Sequence, residues 1–324
     1  MLRVALVGTG GMGTVHYMNY KHIEEVEVVA LVGGSEKSRK KAQQWGLPLY
    51  DSIGELCEGE EIDVVDICSP TFLHYEHVLK ALECGKYVIC EKPLALSSKE
   101  AKILFEKARQ VGKQLYVAQV VQFMRQTAVL RELVEKKTFG RALDGVFERL
   151  SAKPSWGSDS WMFDRKKAGL IPFDLHIHDL DLMVSLFGKP REFRVYKSQS
   201  ELSFPEHFRF IYDYDGLNLV GEAGWLNANM PFRVRWRVYF ERAYVVSEEG
   251  QLIAYPADGQ PIVYNVEEKE LIETGINVPP TEMYLTQLRH FIDCIKLDIP
   301  SPIVKEEQVI STLEILENIQ WDEN

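Results

Sequence analysis

A glycine turn close to the start of the chain constrains the fold more than any other feature. The apolar run Leu2–Val7 is too short for a helix and leads directly into Gly8, Gly10 and Gly13 at G-x-G-x-x-G spacing. Residues 14 to 23 are then predicted to be helical. This order of strand, tight turn and helix is typical of a dinucleotide-binding unit, which holds the pyrophosphate at the helix N-terminus. For the motif alone, the alternative is a structural turn in another α/β fold.

The end of the second predicted strand bears on the choice between NAD and NADP. The strand Val26–Val32 ends at Gly33–Gly34, where NAD-binding folds carry an Asp or Glu for the ribose hydroxyls. Without that carboxylate, Ser35 with Lys37 or Arg39 can bind a 2′-phosphate, so NAD or NADP fits and NADP is favoured. Alternatively, the basic residues are the solvated face of the next helix. Around the phosphates and ribose we expect contacts from Gly8, Thr9, Gly10, Gly11, Met12, Gly13, Gly34, Ser35 and Arg39.

Strands and helices alternate through the rest of the first third of the chain. Strands are predicted over residues 62–68 and 87–90, with a helix over 74–84 between them. This alternation predicts a parallel, doubly wound sheet, which binds ligands at the carboxyl ends of its strands. Because Ser69 and Glu91–Lys92 follow two of these strands, we expect them to converge on one crevice with the glycine turn.

The second half of the chain has a different pattern. Between residues 192 and 266, stretches such as Arg233–Phe240 alternate apolar with charged residues, which predicts a mainly antiparallel sheet. We therefore predict an α/β protein with an N-terminal Rossmann domain over residues 1–121. A C-terminal α+β domain over 122–324 is expected to be built on a mostly antiparallel open sheet, with two amphipathic helices between 283 and 319.

Asp174 and His178 form a second chemical centre. Pro172 suits the first turn of a helix, and the four-residue spacing places Asp174 and His178 on one face, with His176 pointing elsewhere. A carboxylate beside an imidazole raises its pKa and orients it, which suits an acid/base histidine near neutral pH. The alternatives are a surface ion pair and a metal site. We expect no metal, because no open ligand set is completed elsewhere.

The whole chain resembles the Gfo/Idh/MocA family of nicotinamide-dependent oxidoreductases. The resemblance rests on Gly8–Gly13, Ser69-Pro-Thr-x-x-His74, Ala81-x-x-x-Gly85-Lys-Tyr-Val and, most specifically, Glu91-Lys92-Pro93. It implies reversible hydride transfer between the nicotinamide and a carbinol carbon of a sugar, cyclitol or related polyol. The catalytic residues are then Lys92, Asp174 and His178. The family pattern also implies cofactor contacts from Ser69, Pro70, Thr71, His74, Glu91, Lys92 and Pro93, and a homodimer or homotetramer through the open sheet face.

Two departures from the family pattern fall where a substrate is expected. Gln122-Phe123 replaces the usual Arg-Phe, and the glycine-rich lead-in to the second centre is only Ala168-Gly-Leu170. The polar, aromatic loop before it contains tryptophans that can stack on a sugar ring or simply pin the loop to the domain. The residues expected to contact substrate are Gln122, Trp156, Trp161, Arg165 and His178.

The composition of the chain limits which partners it can bind and in which compartment it is expected. A formal charge of −11 disfavours nucleic acid and anionic membranes, and no apolar run approaches the ~18–20 residues that span a bilayer. Five scattered cysteines without C-x-x-C favour reduced thiols in the cytoplasm. Two other functions suit the same fold: a hydrolase or lyase that uses tightly bound NAD transiently, and a non-catalytic dinucleotide sensor. A sensor would not need the acid/base set.

Overall fold

The computed structural model describes residues 1–155, 161–276 and 278–319. Its contacts define two compact units. The first contains residues 1–123 and 268–310, and the second contains 124–267 and the segment from Ser311. The predicted boundary between residues 121 and 122 did not anticipate that 268–310 pack with the first unit.

The first unit begins with alternating strands and helices, as predicted. Its first helix begins at Gly11, three residues before the predicted start. The elements are β1 (Leu2–Val7), α1 (Gly11–Tyr20), β2 (Val26–Val32), α2 (Glu36–Trp45), β3 (Leu49–Tyr50), α3 (Ile53–Gly59), β4 (Val64–Ile67), α4 (His74–Glu83), β5 (Tyr87–Glu91), α5 (Ser98–Val111) and β6 (Leu115–Ala118).

The strands of the first unit form a parallel sheet in the order β3-β2-β1-β4-β5-β6. Strand β1 pairs with β2 on one side and with β4 on the other, so the strand order reverses at β1. This is the arrangement of a Rossmann fold, in which ligands bind where the order reverses. The strand interiors are buried because both faces are covered by helices. The predicted fold class of this unit is confirmed.

The second unit contains a helical region and a long run of strands. A π-helical segment, Pro172–His176, leads directly into α8, so the predicted helix is present with an irregular first turn. The elements are α6 (Arg125–Glu135), β7 (Ala142–Ala152), α7 (Arg165–Ala168), α8 (Ile177–Phe187), β8 (Glu192–Ser198), β9 (His207–Tyr214), β10 (Leu217–Leu226), β11 (Arg233–Phe240), β12 (Ala243–Glu248), β13 (Gln251–Pro256) and β14 (Ile262–Tyr264).

These strands form one sheet in the order β14-β13-β12-β11-β7-β10-β9-β8. Neighbouring strands are antiparallel except β7 and β10, which are parallel, so the prediction of a mostly antiparallel sheet is confirmed. Burial alternates along β9 and β11, as expected for a sheet with one covered face. The covered face carries Phe208, Phe210, Tyr212, Trp236, Val238 and Phe240, and the π-helical segment contacts it at β10.

Two further helices follow the second sheet, α9 (Met283–Leu297) and α10 (Glu306–Glu317). In the first unit, α9 packs against α1, and its Phe291 ring contacts the rings of Tyr116 and Phe123. The predicted apolar stripe of α9 is buried, at Leu285, Leu288, Phe291, Ile292 and Ile295. Among the described residues, we find no helix with the length and apolar character needed to cross a bilayer.

Candidate active site

The glycine turn between β1 and α1 is shaped for close approach. Gly8 has φ +92°, and a Cβ there would lie 2.7 Å from the carbonyl oxygen of Cys68. A Cβ on Gly13 would collide with the Gly8 carbonyl, so the helix packs closely against the strand. Gly10 is exposed, and a Cβ there would meet no atom within 4 Å. The open side of the turn therefore lies at Gly10, where backbone N–H groups can receive a pyrophosphate.

A cluster of hydroxyl groups occupies the end of β2. Ser35 is the N-cap of α2, and its Oγ lies 2.8 Å from Ser38 Oγ, while Thr9 Oγ1 lies 3.0 Å from the same atom. A Cβ on Gly33 would lie 2.6 Å from Ser38 Oγ. A side chain at position 33 would therefore have to displace the Ser38 hydroxyl. Arg39 is exposed beside the cluster.

His74 stabilises the loops that follow β4 and β5. Its ring is buried, with Nδ1 2.7 Å from the Pro93 carbonyl oxygen and Nε2 2.8 Å from the Ser69 carbonyl oxygen. Burial lowers the pKa of His74, and the hydrogen bonds to the two carbonyl oxygens oppose that shift. This geometry favours an indirect role in cofactor binding over the direct contact expected from the motif. Pro70 and Thr71 open a short 3₁₀ turn in the same loop.

The Glu91-Lys92-Pro93 motif forms a fixed turn at the end of β5. Glu91 is the last residue of the strand and is buried, whereas Lys92 is half-buried. The Lys92 backbone N–H donates to Glu91 Oε2 at 3.2 Å, and Glu91 Oε1 lies 3.1 Å from Nε2 of His16. The Lys92–Pro93 peptide is cis. Glu91 therefore faces the protein interior, and Lys92 is the residue of the motif with an accessible charge.

Asp174 and His178 occupy the one partly exposed face of their helical region. From residue 171 to 184 these two residues are half-buried and all the others are buried. Asp174 lies in the π-helical segment and His178 in the first turn of α8. This burial pattern supports the expectation that the carboxylate and the imidazole share one face.

The lead-in to this region has a strained backbone. Gly169 and Leu170 have φ +71° and +57°, and the absence of a Cβ on Gly169 leaves room for the ring of Phe173. A positive φ is uncommon for leucine, and strain of this kind concentrates at functional sites. The shortened lead-in noted in the sequence is thus a tight left-handed turn.

His176 belongs to the core of the second unit. Its ring stacks on Phe210 with centroids 3.8 Å apart, and Nε2 lies 2.7 Å from the Tyr212 hydroxyl oxygen. Burial, with a smaller contribution from the charge of Arg149, lowers its pKa to about 3. His176 is therefore a neutral packing residue.

The remaining residues expected at the substrate are divided between the two units. Gln122 is buried in a 3₁₀ turn of the first unit. In the second unit, Trp161 is half-buried and Arg165 is exposed at the start of α7. Trp156 lies outside the described residues. The contacts of Phe163 with Phe204 and Trp225 fix the segment after residue 160 to the sheet.

His16 and Asp66 were not singled out by sequence reasoning. Both are fully buried, and His16 Nδ1 lies 2.7 Å from Asp66 Oδ2. One signal was available, because Asp66 lies between Val65 and Ile67 inside a predicted strand, and a buried carboxylate needs a partner. The partner, His16, is fifty residues away in the sequence, and no local pattern around it indicates that it pairs with Asp66.

Comparison with known families supports this account of the fold. Residues 2–119 match the model of an oxidoreductase family with an NAD-binding Rossmann fold, and residues 127–246 match the GFO/IDH/MocA C-terminal domain. The D-glucoside 3-dehydrogenase of Escherichia coli (strain K12) is 33% identical over 196 residues, which cover 58% of this chain and 55% of that protein.

The myo-inositol 2-dehydrogenase of Thermotoga maritima is 28% identical over 193 residues, or 59% of this chain and 56% of that protein. The chain therefore spans about half the length of the curated relatives it matches. Among solved structures, an oxidoreductase from Agrobacterium radiobacter in complex with NAD⁺, L-tartaric acid and magnesium has a TM-score of 0.85. That match covers 98% of this chain and 94% of the other at 16% identity, which shows a shared fold.

Proposed function

This chain belongs to the Gfo/Idh/MocA family of NAD-binding oxidoreductases, and on that premise we propose that it is a dehydrogenase acting on a CH–OH group. The substrate class is a sugar, a cyclitol or a related polyol. Two relatives whose names state such substrates, a D-glucoside and myo-inositol, support this class. Because the chain matches about half of each relative, its activity is inferred from its own residues as well.

The observation that carries the proposal is that Asp174 and His178 are half-buried, whereas every other residue between 171 and 184 is buried. Oxidation of an alcohol requires a base that removes the hydroxyl proton as the carbinol carbon is oxidised. His178 is the residue we assign to that role, and Asp174 orients either the imidazole or the substrate. A surface ion pair would not require the strained lead-in at Leu170.

The first unit contributes the cofactor site and Lys92. The open glycine turn and the hydroxyl cluster at the end of β2 fit the pyrophosphate and the adenosine ribose of a dinucleotide. When bound, the nicotinamide accepts or donates the hydride. Lys92 donates a hydrogen bond to the reacting oxygen and stabilises the negative charge that develops there.

We infer that the cofactor is NADP in preference to NAD. The Ser38 hydroxyl occupies the space next to Gly33 where a carboxylate would select NAD. Hydroxyl groups at Ser35 and a cation at Arg39 suit a 2′-phosphate, which a carboxylate would repel. Lys37 adds a second exposed cation on the same helix.

We also propose that a second copy of the chain covers the open face of the second sheet. Tyr239, Tyr244 and Tyr255 are exposed and lie in register across β11, β12 and β13. Arg235 on the same sheet pairs with Glu148 at 2.8 Å and Glu248 at 3.2 Å. Exposed aromatic rows with paired charges are typical of interfaces. Analytical ultracentrifugation of the wild type and of Tyr244→Asp measures the mass of the assembly. The same mass for the two proteins would contradict an interface on this face.

A cytoplasmic location is proposed from the five free cysteines.

The decisive experiment follows absorbance at 340 nm with NAD and NADP in parallel against a panel of polyols and aldoses. Reduction of NADP by one compound is the expected result. Lys92→Ala is expected to lower kcat about 10²–10³-fold while dinucleotide binding is retained. Lys99→Ala, at an exposed lysine of α5 in the same unit, is the matched control. Tight dinucleotide binding with no turnover on any compound would contradict the proposal.

A further inference from the structure

A buried cluster of charged groups joins three elements of the first unit at the Glu91–Lys92 turn. His16 in α1 is fully buried, and its two ring nitrogens face Asp66 in β4 at 2.7 Å and Glu91 in β5 at 3.1 Å. The second oxygen of Glu91 accepts the Lys92 backbone N–H at 3.2 Å. One imidazole therefore connects the first helix to the residue that precedes the proposed catalytic lysine.

The arrangement suits a charged imidazole. Ionised carboxylates only accept hydrogen bonds, so both nitrogens of His16 must carry a proton when Asp66 and Glu91 are ionised. Burial is the largest single influence and lowers the pKa of His16, but the charges and hydrogen bonds of Asp66 and Cys68 together outweigh it and leave the pKa well above the ordinary value. The Tyr20 hydroxyl donates to the same oxygen of Asp66 at 2.9 Å, which satisfies that carboxylate further.

A metal site is the alternative for these side chains. Donor atoms of His16, Asp66 and Cys68 all lie within 4.8 Å of one another. However, the 2.7 Å contact between His16 and Asp66 is a hydrogen bond, and a cation could bind only by replacing its proton. Burial raises the pKa of Cys68 to about 12, so a cation would have to displace the thiol proton as well. The hydrogen-bonded imidazolium accounts for the geometry without an ion.

We propose that His16 is a positioning residue for Lys92. The imidazolium holds the Glu91 carboxylate, the carboxylate holds the Lys92 N–H, and the backbone from which the lysine side chain extends is thereby fixed. On the other side of Lys92, the buried His74 contacts the Pro93 carbonyl at 2.7 Å. The inference rests on the proposed dehydrogenase function, because a lysine needs such precise placement only if it acts on a reacting atom.

The same helix also serves the cofactor. Helix α1 begins at Gly11, directly after the open side of the glycine turn, and His16 lies in its second turn. A single rigid element thus carries both the expected pyrophosphate site and the residue that fixes the lysine turn. Removing the His16–Glu91 contact leaves the helix and the glycine turn in place. It is therefore expected to affect turnover more than dinucleotide binding.

The test compares His16→Gln with Tyr20→Phe in the full-length protein. Each substitution removes a hydrogen bond to Asp66, but only His16→Gln also disturbs Glu91. We expect His16→Gln to lower kcat at least about 10-fold, with the dinucleotide Kd changed less than about 3-fold. Tyr20→Phe is expected to keep kcat within about 2-fold. Glu91→Gln should resemble His16→Gln, and the two together should be less than additive.

A second readout does not depend on activity. Hydrogen exchange of the Lys92 amide, measured in the dinucleotide-free protein, is expected to accelerate about 10-fold in His16→Gln and to stay unchanged in Tyr20→Phe. The amide of Val4, in the core of β1, serves as the reference for general destabilisation. Equal effects of the two substitutions on kcat and on Lys92 exchange would overturn the positioning role. If the wild type shows no turnover but His16→Gln still accelerates exchange of the Lys92 amide selectively, the dehydrogenase function is contradicted. The role of His16 in fixing the Glu91–Lys92 turn is then supported.

Discussion

Arg149 and Asp179 form a bidentate ion pair in the second unit, in which Nε and Nη2 of the arginine each lie 2.9 Å from a carboxylate oxygen. Both side chains are buried. The pair ties β7 to the first turn of α8, at the residue that follows His178. Such a pair adds little net stability compared with apolar residues, but a single charge left behind is strongly destabilising.

Asp179→Asn is expected to lower the free energy of unfolding by about 3–5 kcal/mol, because the Arg149 guanidinium then stays buried without a counter-charge. Urea unfolding followed by tryptophan fluorescence measures the change. Arg141→Ala is the matched control, since its pair with Glu241 is exposed and is expected to contribute less than about 1 kcal/mol. Equal losses in the two variants would show that the pair is not effectively buried.

His178→Ala is expected to lower kcat by about 10²–10⁴-fold, because the hydroxyl proton then has no positioned base. Asp174→Asn should give a smaller loss, since the imidazole stays present but is less well oriented. Steady-state kinetics, with dinucleotide binding measured separately, checks both variants. His22→Ala, at an exposed histidine, is the control. Turnover near the wild-type rate in His178→Ala would refute its role as the base.

The hydroxyl cluster at the end of β2 predicts a cofactor switch. Gly33→Asp alone is expected to weaken the binding of both NAD and NADP, because the new Cβ would lie 2.6 Å from Ser38 Oγ. Combined with Ser38→Ala, the new carboxylate has room to bind the ribose hydroxyls and to repel a 2′-phosphate. The ratio of kcat/KM for NADP over NAD should then fall at least about 10-fold. A ratio that is the same in the wild type and the double variant would argue against selection at this position.

The stability of the second unit is expected to decline in mild acid because of His176. Its pKa is about 3 in the folded protein, against an ordinary value of 6.5, so the unfolded chain binds the proton more readily. Stability is therefore lost as pH falls below about 6.5, and the loss continues until about pH 3. This residue lowers the free energy of unfolding by about 2 kcal/mol between pH 8 and pH 5. Urea unfolding at both values should show a pH dependence smaller by that amount in His176→Gln.

Local sequence patterns were sufficient to predict the first unit's sheet. The glycine turn, the apolar strands and the strand-end motifs all express short-range preferences, and each is found where the pattern indicated. The start of α1 was misplaced because glycine is a poor helix former. In the structure the helix begins at Gly11, and its first turn contains Gly13, where only a residue without a side chain can pack against the Gly8 carbonyl.

Long-range relationships could not be predicted in the same way. The contact of His16 with Asp66 depends on which strands become neighbours, and the parallel pairing of β7 with β10 depends on the path of the whole second unit. The π-helical segment before α8 has a sequence compatible with an α-helix. Its irregular turn comes directly after the left-handed lead-in at Gly169, against which Phe173 packs.

The return of residues 268–310 to the first unit has a consequence for synthesis on the ribosome. Residues 1–123 emerge early, but Phe291 of α9, which packs on Tyr116 and Phe123, emerges only after the whole second sheet. Until then those two aromatic rings lack their apolar cover. The Rossmann sheet of the nascent chain therefore remains incompletely packed until α9 has been synthesised. During this interval its exposed apolar surface can be bound by chaperones or cleaved by proteases.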